Sequence, residues 1–468
     1  YTGKTILEED SKGNKTGFIY DGLGRKVAEI ANVGSSFEAI KRYKYIVSPS
    51  QNALIVTAPN GYQSRVLYDG IGRVIEKDVE HIDAKTGQAV PNRWDKVSSD
   101  LYDASGNKIS ETHYDTDGTG NPLALTTHYQ YDDENRLTAT SYPDGAATVK
   151  VYDDVANRAI TYVVASTGQE VTNKSSPCRI GDKYYGCEIR NFMVEQKNNA
   201  GKVIANYIIS GNPDGKSADG KPLYSGDIKR NLASQESYLA KGLVFEPNWL
   251  SVWIDAVIQS GEYYSRSSKT YDGYNRVVVS TDVDGNQTHY QYDQKGDLIE
   301  KTLPGGQSQK MGYDMLGKLT QIGAMVDGKE KVLGTRYYNQ LGELMWESDP
   351  LNEIRSYQYD ANGNPIEITT PNGAIIKQTY DEMNKLVKRE AEVQGKLQDT
   401  VTWTYDKKTG QVLTMVDSTG TTYYSYYPDG RLKSKRHDGA AYKMPSYTLS
   451  YTYTLSGRPK TITDAAGH

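Results

Sequence analysis

Cysteine is almost absent: the 468 residues contain two, Cys178 and Cys187, so neither a disulfide framework nor a cysteine metal site holds the chain together. Gly181 and Asp182 between them can turn the chain back, and the spacing predicts one hairpin disulfide in an oxidising compartment. Histidine is scarce, with six residues at positions 81, 113, 128, 289, 437 and 468, none at a repeated ligand spacing. No apolar run approaches the ~20 residues that span a bilayer, so no membrane span is expected. The net charge of −5 is spread along the chain without a block of one sign, which argues against nucleic acid as a partner. No Gly-x-Ser-x-Gly elbow, phosphate-binding loop or zinc signature occurs, so no catalytic, cofactor-binding or metal-binding residue is assigned. Asp115-Thr116-Asp117-Gly118-Thr119-Gly120-Asn121 has the look of a calcium loop, but its glycine comes too early and no closing Glu follows, so it reads as a turn. The sequence starts at Tyr1 in strand-like residues without a secretion signal and stops mid-phrase at His468, which reads as a piece of something longer.

What is present in excess is tyrosine, 39 residues against 4 Phe, together with 44 Gly. An apolar ring with a wet hydroxyl suits half-buried sheet surfaces better than a deep core. The tyrosines are periodic. A Tyr-Asp dipeptide, a turn and a basic or polar residue, as in Tyr20-Asp21-Gly22-Leu23-Gly24-Arg25, recurs from Tyr68, Tyr102, Tyr131, Tyr152, Tyr271, Tyr292, Tyr313, Tyr359, Tyr380 and Tyr405, with looser copies at Tyr338, Tyr427 and Tyr453. From Tyr271 the steps are 21, 21, 25, 21, 21, 25, 22 and 26 residues. Pro59, Pro143, Pro304, Pro350 and Pro371 each stand nine residues before a repeat tyrosine, four of them opening a Pro-x-Gly triplet. Between these marks apolar and polar residues alternate, the period of a strand. The unit is therefore a hairpin: strand, Tyr-Asp turn, strand, Pro-x-Gly turn.

Backbone geometry explains the residue types. Four places after the tyrosine stands Gly (Gly24, Gly72, Gly106, Gly296, Gly317, Gly342, Gly363, Gly457) or Asn (Asn135, Asn275, Asn384), the types that best accept positive φ. The Asp, as in Asp293 and Asp360, caps turn amides; the carboxylates occur singly, so turn chemistry outweighs metal binding. Tyrosine pairs two apart, such as Tyr290/Tyr292 and Tyr357/Tyr359, put both rings on one face and are expected to stack from repeat to repeat; a sugar- or base-stacking platform is the rival reading.

Between Tyr152 and Tyr271 the repeat lapses for 119 residues. Residues 162–171 and 191–210 still read as strands, 211–226 as an exposed loop, and 227–240 and 249–259 as short helices carrying Phe245, Trp249 and Trp253. The expected division is residues 1–159 as repeat sheet, 160–270 as a small mixed insert packed as a cap or plug, and 271–468 as regular repeat sheet.

The phrases Tyr-Asp-x-x-Gly-Arg and Asp284-Gly285-Asn286-Gln287-Thr288-His289-Tyr290-Gln291-Tyr292-Asp293-Gln294-Lys295-Gly296 resemble the RHS/YD repeat over nearly the whole chain outside the insert. That resemblance implies an all-β fold of antiparallel hairpins wound into a curved or spiralling shell, as in bacterial polymorphic toxins, insecticidal toxin complexes and, more distantly, teneurins. It further implies a secreted, non-enzymatic shell that encapsulates a toxic polypeptide, with a C-terminal or separate toxin cargo and other shell or delivery subunits as partners. The only Asp-Pro, Asp349-Pro350, lies inside an ordinary repeat and takes no cleavage role. The alternatives are a cell-surface adhesion or carbohydrate-binding module, and an enzyme within the insert.

Overall fold

The computed structural model describes all residues except 1–3, 11–12, 50, 117–121, 171–178, 181–182, 211–246, 264, 327, 443–444 and 468. Nearly all of it is antiparallel β-structure. Among the described residues there are thirty-four strands, most of five to ten residues, and pairing runs overwhelmingly between strands adjacent in the chain. Each hairpin closes at two kinds of end. At the Tyr-Asp end the register shifts at the tyrosine, so that Tyr271 pairs with Val277, Tyr292 with Leu298 and Tyr359 with Pro365. That extra residue is a bulge, and the residue filling it needs positive φ. Gly24, Gly72, Gly106, Gly296, Gly317 and Gly363 have φ of 73°, 90°, 94°, 100°, 76° and 77°, and Asn135, Asn275 and Asn384 have 60°, 62° and 57°. The Pro-x-Gly end is built alike: Gly61, Gly145, Gly306 and Gly373 have φ between 77° and 90°, and Asn352 takes the glycine's place with φ 61°.

One repeat differs from its sequence phase. Tyr426, not Tyr427, occupies the repeat-tyrosine position, because the turn closes through Tyr427 N–H to Arg431 C=O and Gly430 N–H to Tyr427 C=O, which puts Tyr427 where other repeats have Asp. Two adjacent tyrosines made the dipeptide ambiguous, and the turn hydrogen bonds resolve it.

The chain groups into two compact units that cut across the repeat boundaries. The first comprises Tyr1–Asp100, Thr112–Leu125 and Gly334–His468; the second comprises Leu101–Glu111 and Thr126–Leu333. The second unit holds the densest apolar packing among the described residues. Strands Arg158–Glu170, Lys183–Lys197 and Val203–Ser210 present Ile160, Tyr162, Phe192, Val194 and Ile209 to the helix Pro247–Ser260, which answers with Leu250, Trp253, Ile254 and Val257. The helical four recur at i, i+3, i+4 and i+7, an apolar stripe. Pro opens the helix, and Gly261 at φ 77° closes it as Glu262 N–H returns to Val257 C=O. Burying those four side chains contributes about 6–12 kcal/mol as an upper figure. The insert's sequence-predicted strands at 162–171 and 191–210 and its helix at 249–259 are thus occupied by these elements, while the expected loop at 211–226 and helix at 227–240 lie outside the described residues. Cys178 lies outside them too; Cys187 is in strand, opposite Ser166.

Candidate functional site

The repeated Tyr-Asp turn is where this chain concentrates its polar side-chain chemistry. In most of these turns the Asp carboxylate accepts amides two and four residues on: Asp21 Oδ1 from Leu23 at 3.0 Å and Arg25 at 2.9 Å, Asp360 Oδ1 from Asn362 and Asn364 at 2.9 Å each. Asp293 takes the amides of Gly296 and Asp297, both at 2.9 Å. Where Arg follows the glycine or asparagine, its Nε donates to the other carboxylate oxygen, as in Arg276 to Asp272 at 2.8 Å and Arg73 to Asp69 at 2.6 Å. These donors hold the carboxyls of Asp21, Asp69 and Asp272 below the ordinary value of 3.8, the backbone amide of Arg25 leading for Asp21, the Arg73 guanidinium for Asp69 and the Arg276 amide for Asp272.

Each turn is tied to the next by two devices. The repeat tyrosine donates its hydroxyl to a backbone carbonyl of the preceding hairpin: Tyr292 to Val277 at 2.9 Å, Tyr313 to Leu298 at 2.9 Å, Tyr359 to Leu344 at 2.8 Å, Tyr405 to Leu386 at 2.8 Å. Partial burial raises the phenols of Tyr292, Tyr313, Tyr359 and Tyr405 above their usual range, which keeps them neutral donors. The turn cation then lies over the following repeat's ring, with Arg25 over Tyr45 at 4.5 Å, Arg136 over Tyr152 at 4.3 Å, Arg276 over Tyr292 at 4.7 Å and Arg431 over Tyr453 at 5.0 Å. Such a pair contributes about 0.5–1 kcal/mol and such a hydroxyl bond about 0.5–1.5 kcal/mol. The hydroxyl bond recurs along most of the repeats, as in Tyr131, Tyr152, Tyr271 and Tyr380, whereas among the described residues the cation–ring pair is confined to turns that carry Arg or, at Lys385, Lys. At these turns a cation, not another tyrosine, covers the repeat ring, whereas Tyr357 and Tyr359 do stack, centroids 6.4 Å apart. The Arg of the Tyr-Asp-x-x-Gly-Arg phrase was visible in sequence; its reach to the next repeat was not.

Within the first unit the ladder meets a second row of hairpins. Asn60 Nδ2 donates to Pro428 C=O at 2.7 Å, Lys433 Nζ to Thr86 C=O at 3.0 Å, and both Ser456 N–H, at 3.3 Å, and its hydroxyl reach the Asp115 carboxylate. Lys407 lies over the Phe37 ring at 5.4 Å. A cleft of about 470 Å³ runs along this seam, lined by Tyr62, Glu80, Asp95, Arg431, Tyr453 and Ser456 among others. Asp115, read from sequence as part of an ordinary turn, is a seam residue. The second unit has its own anchor: Arg158, its side chain 2% exposed, donates to Asp153 at 2.9 Å, Asp255 at 2.6 Å and the backbone carbonyl and hydroxyl of Ser251 at 2.9 and 2.6 Å, which bolts the helix to the sheet.

Titratable groups elsewhere are paired for structure. His81 contacts Asp95 at 2.8 Å and buried His437 contacts the Thr422 hydroxyl at 3.0 Å. Among the described residues no group of three or more His, Cys, Asp or Glu is placed to hold a metal ion, and no helix is long and apolar enough to cross a membrane.

These features define a class, a wall of antiparallel hairpins fastened turn to turn through tyrosine, aspartate and arginine. Part of it matches known repeat families: the RHS Repeat profile matches residues 271–308 and the Teneurin YD-shell profile residues 308–394. The chain is 27% identical over 164 residues to Teneurin-1 of Gallus gallus, covering 35% of this chain and 6% of that protein, and 27% identical over 170 residues to the Probable deoxyribonuclease RhsA of Dickeya dadantii, covering 36% and 11%. Among solved structures it is similar to the TcdB2-TccC3 complex, at 15% identity and TM-score 0.46 over 95% of this chain and 23% of that one. It is also similar to the Photorhabdus luminescens Tc holotoxin pore, at 15% identity and TM-score 0.44 over 95% and 22%. The chain thus spans about a tenth or less of the two curated relatives and under a quarter of these solved chains.

Proposed function

We propose that this chain is part of the wall of a secreted bacterial toxin shell, which encloses a toxic polypeptide until delivery and performs no turnover itself. The observation that carries the reading is thinness. The chain's accessible surface is 28036 Å² at 52.0 kDa, whereas a protein of that mass packed around cores exposes about 17,500 Å². Most repeat strands are half-buried along their length rather than sunk in a core, as in Val277–Thr281 and Leu298–Thr302. A sheet with two wetted faces and fastened ends is what a container needs: it excludes protease while offering its contents no large apolar patch.

The names of two relatives, a probable deoxyribonuclease and a toxin complex, support a toxin setting, with a toxin polypeptide and further shell or delivery subunits as partners and an extracellular bacterial location. The test is protection. Produced together with its accompanying toxin polypeptide, the wall should keep that polypeptide intact under added protease, and deletion of the repeats should expose it. Digestion at the same rate with and without the repeats would remove the encapsulation reading.

A further inference from the structure

The seam in the first unit has a regular construction. Its cross-contacts join Asn32 to Met383, Asn60 to Pro428, Thr86 to Lys433 and Asp115 to Ser456, in the same order along both runs, at separations of 351, 368, 347 and 341 residues. The later run contributes its Tyr-Asp turns or the residues just past them. The earlier run contributes the opposite hairpin ends: the turn after Lys26–Ala31, the Pro59-Asn60-Gly61 turn, the connection after Val74–Ile82 and the far end of Lys108–Thr116. One kind of edge therefore seats on the other, and the two runs stack in parallel.

Among the described residues the same edges recur without an occupant. Leu23 and Ile71 hold the turn position, three after the repeat tyrosine, that Met383 and Ser456 hold in the seam. They are 80% and 78% exposed, whereas Met383 is half-buried. On the opposite kind of edge, Leu351 in Pro350-Leu351-Asn352 stands where Asn60 stands in Pro59-Asn60-Gly61, and is 77% exposed. Large aliphatic side chains at the tips of otherwise polar turns have no role in their own hairpins, whose hydrogen bonds are made by Asp21 and Asp69.

We propose that the Tyr-Asp edge tipped by Leu23 and Ile71 docks onto the Pro-x-Gly edge of a further YD-repeat winding, and that in purified protein a second copy of this chain supplies it through Leu351. The partner is recognised by its chemistry: a row of positive-φ hairpin ends with outward carbonyls, side-chain amides and aliphatic tips, spaced one hairpin apart. Because the two edges differ, the contact is heterologous, and such contacts add copies in a stack unless rotation closes a ring. The inference rests on the wall reading but is tested apart from it.

Sedimentation velocity over a concentration series should show the whole chain growing beyond dimers. Leu23→Lys with Ile71→Lys, or Leu351→Lys alone, should weaken association at least about tenfold. Met193→Lys, on an exposed sheet face, should leave it unchanged, with circular dichroism confirming the fold of every variant. A monomer at every concentration overturns the docking and leaves the protease-protection test standing. Equal weakening by Met193→Lys, or none by the edge variants, assigns association to sheet faces or strand edges and also overturns it.

Discussion

Arg158→Ala should release the helix Pro247–Ser260 from its sheet without unfolding the repeats. Among the described residues Arg158 is the cation placed against Asp153, whose side chain is 12% exposed, and against Asp255, whose side chain is 53% exposed. Loss of the Asp255 contact costs little, because water replaces it. Asp153 is different: it stays charged and nearly buried, with the Ser251 hydroxyl and the Ala156 amide as its remaining donors. Breaking a buried pair from one side costs about 3–5 kcal/mol, a sizeable part of the helix's burial. A stacked repeat sheet does not unfold in two states, so the measurement is native-state hydrogen exchange of the helix amides from Ile254 to Ser260. Opening should become roughly a hundred to several thousand times more frequent, while amides of Val277–Thr281 and Leu298–Thr302 keep their protection. Arg158→Met combined with Asp153→Leu removes both buried charges and should recover most of the loss. Less than a tenfold change in Arg158→Ala would refute the anchoring argument.

Two further outcomes concern the turns. Gly296→Val and Gly363→Val, at φ 100° and 77°, should each cost about 1–3 kcal/mol, because a β-branched residue is forced into the left-handed region; Gly363→Asn should cost clearly less, and equal losses in thermal melting would remove the turn reading. Asp21, Asp69 and Asp272 have folded-state pKa values lowered from 3.8, so their contribution is complete above that value and disappears as pH falls through the lower folded ones. The turn edge should hold from neutrality to about pH 4 and loosen only below it, and carboxyl NMR titration placing these three groups at or above 3.8 would contradict the capping geometry.

How much of this was legible beforehand depended on the range of the interaction. The turn positions could be read because positive φ admits few residue types: Gly24, Gly296 and Asn275 announce it wherever they stand. The helix at 249–259 could be read from its apolar spacing. Tyr426 could not be separated from Tyr427, since strand alternation and the dipeptide signal point to different residues there and only the closing hydrogen bonds choose.

By itself the sequence determined the hairpin unit, its phase, its all-β class and the chemistry of its turns, because these follow from constraints acting within about six residues. Tertiary structure alone decided that Arg276 covers Tyr292 of the next repeat, that Arg158 anchors a helix nearly a hundred positions away, and that Asp115 meets Ser456 at a separation of 341 residues. Those contacts depend on the twist accumulated from strand to strand, a sum over many hairpins that no local pattern records.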